Sequence, residues 1–122
     1  MKRIFFFSVP LLVAFNLFAK DIYIYPGPNA QERLQEALIL IDEGDTLIIK
    51  SGYYEFEDGL SLDVDDVTLK GEGIDSTILD FKNQQSGAQG LLVTSDRVTL
   101  SDFSILDAKG DALKVIGAKG CL

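Results

Sequence analysis

Two segments of the chain are near copies of each other, 31 residues apart. Residues 59–69 read GLSLDVDDVTL and residues 90–100 read GLLVTSDRVTL. Each copy holds two short runs of alternating apolar residues, which is typical of strands with one buried face. Asp65 and Asp66 separate the two runs of the first copy and favour a tight bend. The repeat therefore predicts pairs of short strands joined by recurring bends.

The repeat extends beyond the two copies. Residues 45–49 resemble residues 66–69, and Leu113 and Val115 fall where Leu91 and Val93 fell. A third type of run also recurs: Ile78-Leu79-Asp80 corresponds to Ile105-Leu106-Asp107. Units of about 20 to 31 residues made of three short strands predict a solenoid, and the parallel β-helix is the solenoid with three strands per coil.

Equivalent residues of successive coils should stack at the spacing of neighbouring strands, about 4.8 Å. An ordinary β-sandwich is the alternative, but it explains only the alternation and not the repeated order of the three strand types. The predicted inward ladders are Leu47/Val67/Val98/Cys121, Ile49/Leu69/Leu100 and Leu60/Leu91/Leu113.

A helix is predicted over residues 30–42, ahead of the first coil. Asn29 is a suitable N-cap, Glu32 follows three residues later as in a capping box, and Gly44 is a natural stop. Apolar residues recur at helical spacing, and the open end of a solenoid must be covered. We therefore predict a capping helix, with a partner-binding helix as the alternative.

The first 19 residues read MKRIFFFSVPLLVAFNLFA, a charged start followed by an apolar run and a small residue at Ala19. This arrangement is typical of a secretory signal peptide, and a retained anchor is the alternative. The predicted organisation is a signal peptide (1–19), an N-terminal strand and capping helix (20–44) and β-helix coils (45–122). An exported protein is expected, in the periplasm, outside the cell or on its surface, with no membrane association after cleavage.

Composition excludes several kinds of function. The net charge of −8 argues against nucleic acid as a partner, because phosphate binding needs clustered lysine and arginine. The chain has no histidine, which excludes His-based triads and His-ligated zinc. Cys121 is the single cysteine, so no internal disulfide can form. We expect it to be a core residue, with an intermolecular disulfide as the alternative.

Two phrases resemble a known family. Residues 44–54, GDTLIIKSGYY, and residues 67–73, VTLKGEG, are similar to the entry segment of pectin-lyase-like right-handed β-helix proteins. The resemblance implies an all-β, right-handed parallel β-helix with an N-terminal capping α-helix. It does not imply one activity, because the family contains lyases, hydrolases, epimerases and proteins without known chemistry.

The predicted register places two pairs of carboxylates about 5 Å apart. Asp65 and Asp96 form one pair, which could hold calcium through its oxygens. Asp80 and Asp107 form the other, which with Lys82 is a candidate substrate-binding group; paired carboxylates can also act on sugars as acid and base. The alternative is that all four aspartates are solvated bend residues.

The resemblance also implies a base, since lyases of this fold use a basic residue near calcium. Lys114, Lys82 and Arg97 are the candidates. Residues 82–89, KNQQSGAQ, form a polar insertion that is expected to stand off the helix as a loop. Such a loop is either a binding element or merely a tolerated insertion.

These patterns predict the N-terminal part of an exported β-helix protein that binds or processes polysaccharide when full length. The alternative is a non-catalytic structural or adhesive surface solenoid. The repeat breaks off after Leu122 without a cap, so we expect a truncated chain that is inactive by itself. A short natural protein that self-associates through its open C-terminal end is the rival interpretation.

Overall fold

Residues 19–117 and 119–122 are described in a computed structural model. The predicted signal peptide therefore lies, apart from Ala19, outside the described residues. The elements in chain order are β1 Asp21–Ile24, α1 Ala30–Leu40, β2 Thr46–Ile49, β3 Gly52–Glu55, β4 Asp58–Leu62, β5 Thr68–Lys70, β6 Thr77–Asp80, β7 Ser86–Val93, β8 Thr99–Ser101, β9 Ser104–Leu106 and β10 Asp111–Val115.

The strands form three sheets, and every strand pair in them is parallel. Sheet A has the order β1-β2-β5-β8, sheet B the order β3-β6-β9, and sheet C the order β4-β7-β10. Each coil thus contributes one strand to each sheet, and β1 adds a rung to sheet A before the first coil. The predicted parallel β-helix with three strands per coil is confirmed.

The core lies inside the stack, where alternate residues of each strand meet. The inward residues are large and apolar, which explains why the strand runs alternate. Tyr54, Phe56 and Phe81 stack on one another, with ring centroids 6.4 Å and 4.9 Å apart. Burying a side chain of this size contributes about 1.5–3 kcal/mol. The residues that are at most 2% exposed include Leu47, Ile49, Leu60, Leu62, Leu69, Leu79, Leu91 and Val93.

The predicted register is right in sheet C and wrong at one junction in each of sheets A and B. Leu60 pairs with Leu91 and Leu91 with Leu113 in sheet C, as predicted. In sheet A, however, Leu47 pairs with Leu69 and not with Val67. The position opposite Val67 belongs to Asp45, whose carbonyl accepts the N–H of Thr68 at 3.1 Å. A shift of two residues keeps every side chain on its face, so alternation alone could not detect it.

The helix covers the N-terminal end of the stack, as predicted, but begins differently. It runs from Ala30 to Leu40, and Leu34 and Leu38 are each 1% exposed. Asn29 adopts a left-handed conformation (φ 61°) and makes no side-chain cap hydrogen bond, so the predicted capping box is not formed. An N-cap side chain needs an extended backbone to reach the first turn. The Arg33 guanidinium instead holds the entry to the helix, donating to the carbonyls of Tyr25 and Pro28.

The polar segment at 82–89 is not a detached loop. Its second half, Ser86–Gln89, belongs to strand β7. Gln84 is 3% exposed, and its amide donates to the carbonyls of Ser86 and Gln89 while it accepts the N–H of Lys109. The prediction of a loop that stands off the helix is therefore wrong, because one buried amide satisfies the backbone of this turn.

The last coil is open at its outer edge. Leu113 and Val115, which occupy inward places, are 42% and 44% exposed. Leu122 exchanges backbone hydrogen bonds with Val98 and Leu100, which places Cys121 beside Val98 as predicted.

In the part of the chain that the structure describes, no helix is long and apolar enough to cross a membrane.

Candidate functional site

Three side chains of different chemistry meet on the outer face of sheet B. Tyr53 lies on β3 and points outward because its neighbour Tyr54 is buried. The Tyr53 hydroxyl donates to the carboxylate of Asp80 on β6. Lys82 follows β6, and its ammonium lies 5.8 Å from the Tyr53 ring centroid and 3.8 Å from Asp80 Oδ2. We call Tyr53, Asp80 and Lys82 the tyrosine cluster.

Asp80 is the fixed centre of the tyrosine cluster. It is 4% exposed, and Oδ1 accepts the N–H of Lys82 at 2.8 Å. Burial by itself would raise the pKa of Asp80, but hydrogen bonds from Tyr53 and from the Lys82 N–H bring the pKa below its usual value. Asp80 is therefore a carboxylate that holds Tyr53 in place.

The other two members keep their protons at neutral pH. The hydrogen bond to Asp80 raises the pKa of Tyr53. The hydrogen bond with Tyr53 raises the pKa of Lys82. A general base works best with a pKa near the operating pH, and both shifts move away from it. The tyrosine cluster is thus suited to donating hydrogen bonds and offering an aromatic surface, and is poorly suited to abstracting a proton.

A groove of about 580 Å³ lies beside Tyr53, between β3 and the start of helix α1. Tyr53 forms part of its wall and is 48% exposed, so the ring is accessible. The other lining side chains are mostly polar. Four of them carry carboxylates: Glu32, Glu55, Glu57 and Asp58.

Asp65 and Asp96 lie on neighbouring coils, as their predicted stacking requires, but both carboxylates are already engaged. Asp65 Oδ1 accepts the N–H of Asp96 at 2.7 Å, and Asp96 Oδ1 accepts the N–H of Lys119 at 2.9 Å. The Arg97 guanidinium lies 2.7 Å from Asp66 and 3.8 Å from both Asp65 and Asp96. Asp65 and Asp96 therefore repeat one hydrogen-bond pattern from coil to coil, whereas the Asp66 carboxylate bonds the Arg97 side chain.

This donor set does not suit calcium. Ca²⁺ takes six to eight oxygen ligands, whereas two hydrogen-bonded carboxylates beside a guanidinium offer few free oxygens and a competing positive charge. Among residues 19–117 and 119–122, no group of three or more Asp, Glu or Cys is arranged to hold a metal ion. A calcium site at Asp65 and Asp96 stays a prediction, without support from this geometry.

Asp80 and Asp107 are not stacked, contrary to the predicted register. Leu79 pairs with Ile105 and Asp80 with Leu106, so the third strand type is shifted by one residue. A shift of one residue exchanges the two faces of a strand. Leu106 is accordingly 41% exposed, and Asp107 lies past the end of β9 in a left-handed conformation (φ 54°). Asp107 is not part of the tyrosine cluster.

The three candidate bases lie on different parts of the molecule. Lys82 follows β6 in sheet B, Arg97 lies in the bend before β8, and Lys114 lies on β10 in sheet C. Sequence reasoning found Asp80 and Lys82 but missed Tyr53. The Tyr53-Tyr54 pair does signal that one ring points outward, but its pairing with Asp80 depends on which residues lie side by side in sheet B.

One solved structure matches the fold, that of a PL6 family alginate lyase. The match has a TM-score of 0.54 and 18% sequence identity, and it covers 80% of this chain. This chain spans 15% of the length of that lyase. No protein-family model and no curated protein matched the sequence. At this identity the likeness concerns the fold alone: the chain has the parallel β-helix architecture that is also found in a polysaccharide lyase.

Proposed function

We propose that this β-helix belongs to an exported protein and binds polysaccharide through the tyrosine cluster and the adjoining groove. The observation that carries the proposal is the accessible Tyr53 ring, which Asp80 holds by a hydrogen bond at the wall of an open groove. A fixed aromatic ring with polar groups around it is a common way to bind a ligand that has both apolar and hydroxyl surfaces. The shared fold with a polysaccharide lyase supports the proposal.

The charges of the groove indicate what kind of sugar it favours. Its four carboxylates can accept hydrogen bonds from sugar hydroxyls, whereas they would repel the carboxylates of an acidic polysaccharide. We therefore expect neutral glycans to bind more tightly than uronic-acid polymers. The proton-retaining pKa shifts of Tyr53 and Lys82 favour binding over catalysis at this site.

A second candidate is a non-catalytic structural solenoid. The observation that favours it is that the Asp65 and Asp96 carboxylates each accept a backbone N–H of the next coil, so these acidic side chains hold neighbouring coils together. Under this alternative the outer tyrosines would have no ligand.

The test compares two matched tyrosines. Tyr23 and Tyr53 are both 48% exposed, and a lysine lies over each ring, Lys50 at 5.9 Å and Lys82 at 5.8 Å. Glycan binding to the full chain would be measured by titration against neutral and acidic polysaccharides. We expect Tyr53→Ala to weaken binding at least about tenfold, equivalent to about 1.4 kcal/mol, and Tyr23→Ala to leave it unchanged. Equal losses in the two variants, or no binding by the wild type, would refute the proposed site.

A further inference from the structure

Asp45 is the least exposed charged residue in the part of the chain that the structure describes. The function proposed above does not involve it. Asp45 precedes β2 and is 2% exposed. Its Oδ2 accepts the side-chain ammonium of Lys20 at 2.6 Å and the N–H of Asp42 at 3.1 Å. Its Oδ1 accepts the backbone nitrogen of Lys20 at 3.0 Å. Lys20 thus reaches one buried carboxylate with both of its nitrogens.

Lys20 is also where the ordered stack begins. Its carbonyl accepts the N–H of Thr46 at 3.0 Å, which is the first hydrogen bond between β2 and the segment that leads into β1. Ala19, immediately before it, is exposed. The Ala19–Lys20 peptide bond therefore lies at the boundary between an accessible residue and the first rung, and it is also the cleavage point predicted for the signal peptide.

We infer that Asp45 is the receptor for the α-ammonium group that Lys20 acquires when the signal peptide is removed. In that hydrolysis, water breaks the Ala19–Lys20 amide bond. The oxygen of water joins the carbonyl carbon of Ala19, which leaves as a carboxylate, and the Lys20 nitrogen takes up protons and becomes an ammonium. The nitrogen that now donates a neutral N–H to Asp45 Oδ1 then donates from a cation.

The charges around Lys20 favour an ammonium in place of the neutral N–H. Two negative charges, Asp42 and Asp45, face one positive side chain, that of Lys20, so a second cation balances the group. Burial would raise the pKa of Asp45, yet the hydrogen bonds from Lys20 and Asp42 leave the pKa below its usual value. A hydrogen bond to a charged donor is roughly twice as strong as one to a neutral donor. Processing would thereby strengthen the attachment of β1 to the first coil.

The inference rests on the proposed export but not on polysaccharide binding. The full chain would be expressed with its leader in an export-competent host, and the product would be characterised by intact mass and N-terminal sequencing. The α-amino pKa would then be measured from the pH dependence of labelling by an amine-reactive reagent. We expect a product that begins at Lys20, with an α-amino pKa at least about one unit above the ordinary value of about 8.

A chain with one alanine inserted between Ala19 and Lys20 supplies the comparison, since its α-amino group is displaced by one residue. We expect it to show an ordinary α-amino pKa and a Tm lower by about 5 °C. The raised α-amino pKa of the wild type means that this Tm difference is present below about pH 8 and is lost as the pH rises through the folded-state pKa. In the Asp45→Asn background the Tm difference should disappear. Asp42→Asn, which changes an exposed side chain that contacts only the Lys20 ammonium, should keep most of it.

Two results would overturn the inference, and they differ in meaning. A product that begins at another residue would contradict both the cleavage point and the role of Asp45. A product that begins at Lys20 with an ordinary α-amino pKa would contradict the role of Asp45 alone and leave the proposed export intact. The pKa is measured on the wild type, so the second result does not depend on whether Asp45→Asn folds.

Discussion

Single residues at the bends explain why this acidic chain can stack its coils. Asp66 and Arg97 occupy equivalent bends and both adopt left-handed conformations, with φ of 58° and 55°. Aspartate tolerates this conformation better than most residues, and its carboxylate can bond nearby backbone N–H groups. Asp65 and Asp96, the predicted metal ligands, precede these residues, and their carboxylates accept backbone N–H groups of the next coil.

Ser95 lies in one of these bends, but its side chain makes no hydrogen bond. It is 3% exposed, and its hydroxyl is the one buried side-chain polar atom without a hydrogen-bond partner in the part of the chain that the structure describes. Val64 occupies the equivalent place one coil earlier and packs against the core. We expect Ser95→Val to raise the free energy of unfolding by about 1–3 kcal/mol, because an unpaired buried hydroxyl costs about that much.

Thr is the matched control at this position, because it has the shape of Val but keeps the hydroxyl. Ser95→Thr should gain much less stability than Ser95→Val in urea unfolding. If the two variants were equally stable, the hydroxyl would have a partner that the structure does not show, and the explanation would be wrong.

At the level of elements, helix α1 does more than cover apolar residues. Gln35 donates to the carbonyl of Ser61 at 3.1 Å and accepts its N–H at 2.9 Å, so one amide replaces a neighbouring strand. Gln31, one turn earlier, makes the same pair of bonds around Asp58, at 3.0 Å and 3.3 Å. The helix thus provides hydrogen-bond partners for backbone groups at the edge of β4. Without them, these groups could pair with a strand of another chain.

Removing one of these amides should open the edge locally. We expect Gln35→Ala to cost about 0.5–1.5 kcal/mol of stability, the net value of a hydrogen bond, and to speed hydrogen exchange at the Ser61 amide. Glu36→Ala, on the neighbouring exposed position of the same helix, should change neither quantity appreciably. An unchanged exchange rate at Ser61 in Gln35→Ala would show that the helix does not protect this edge.

At the scale of the whole molecule, each coil depends on close contact with the next. A Cβ added to Gly71 would lie 2.1 Å from the Asp102 carbonyl oxygen and 2.8 Å from Phe103 Cβ. Real atoms do not approach this closely, so the second and third coils would have to separate there. Because a solenoid is held together by neighbour contacts, such damage should remain on one side of the junction.

We therefore expect Gly71→Ala to lower stability by about 1–3 kcal/mol, which is typical of overpacking. Hydrogen-exchange protection should be lost in β8–β10 and retained in β1–β3. Lys70→Ala, at the exposed neighbouring position, is the control and should leave the exchange pattern as in the wild type. Uniform loss of protection in Gly71→Ala would mean that the coils unfold as a single unit.

Much of the fold can be read from the sequence because strand alternation and a repeated order of strands are local properties. The copies at 59–69 and 90–100 predict the register of sheet C correctly, since Leu60 and Leu91 pair as expected. The buried face of the helix follows in the same way from the spacing of Leu34 and Leu38.

The tertiary structure alone decided the register at two junctions, one in sheet A and one in sheet B, where the sequence repeat predicts the wrong pairing. Alternation is unchanged by a shift of two residues, so it could not show that Leu47 pairs with Leu69. A shift of one residue between β6 and β9 separates Asp107 from Asp80, and the pairing of β3 with β6 brings Tyr53 to Asp80. The sequence by itself determined the architecture, which depends on side-chain periodicity. The candidate site depends on which strands lie side by side, and only the packed coils specify that.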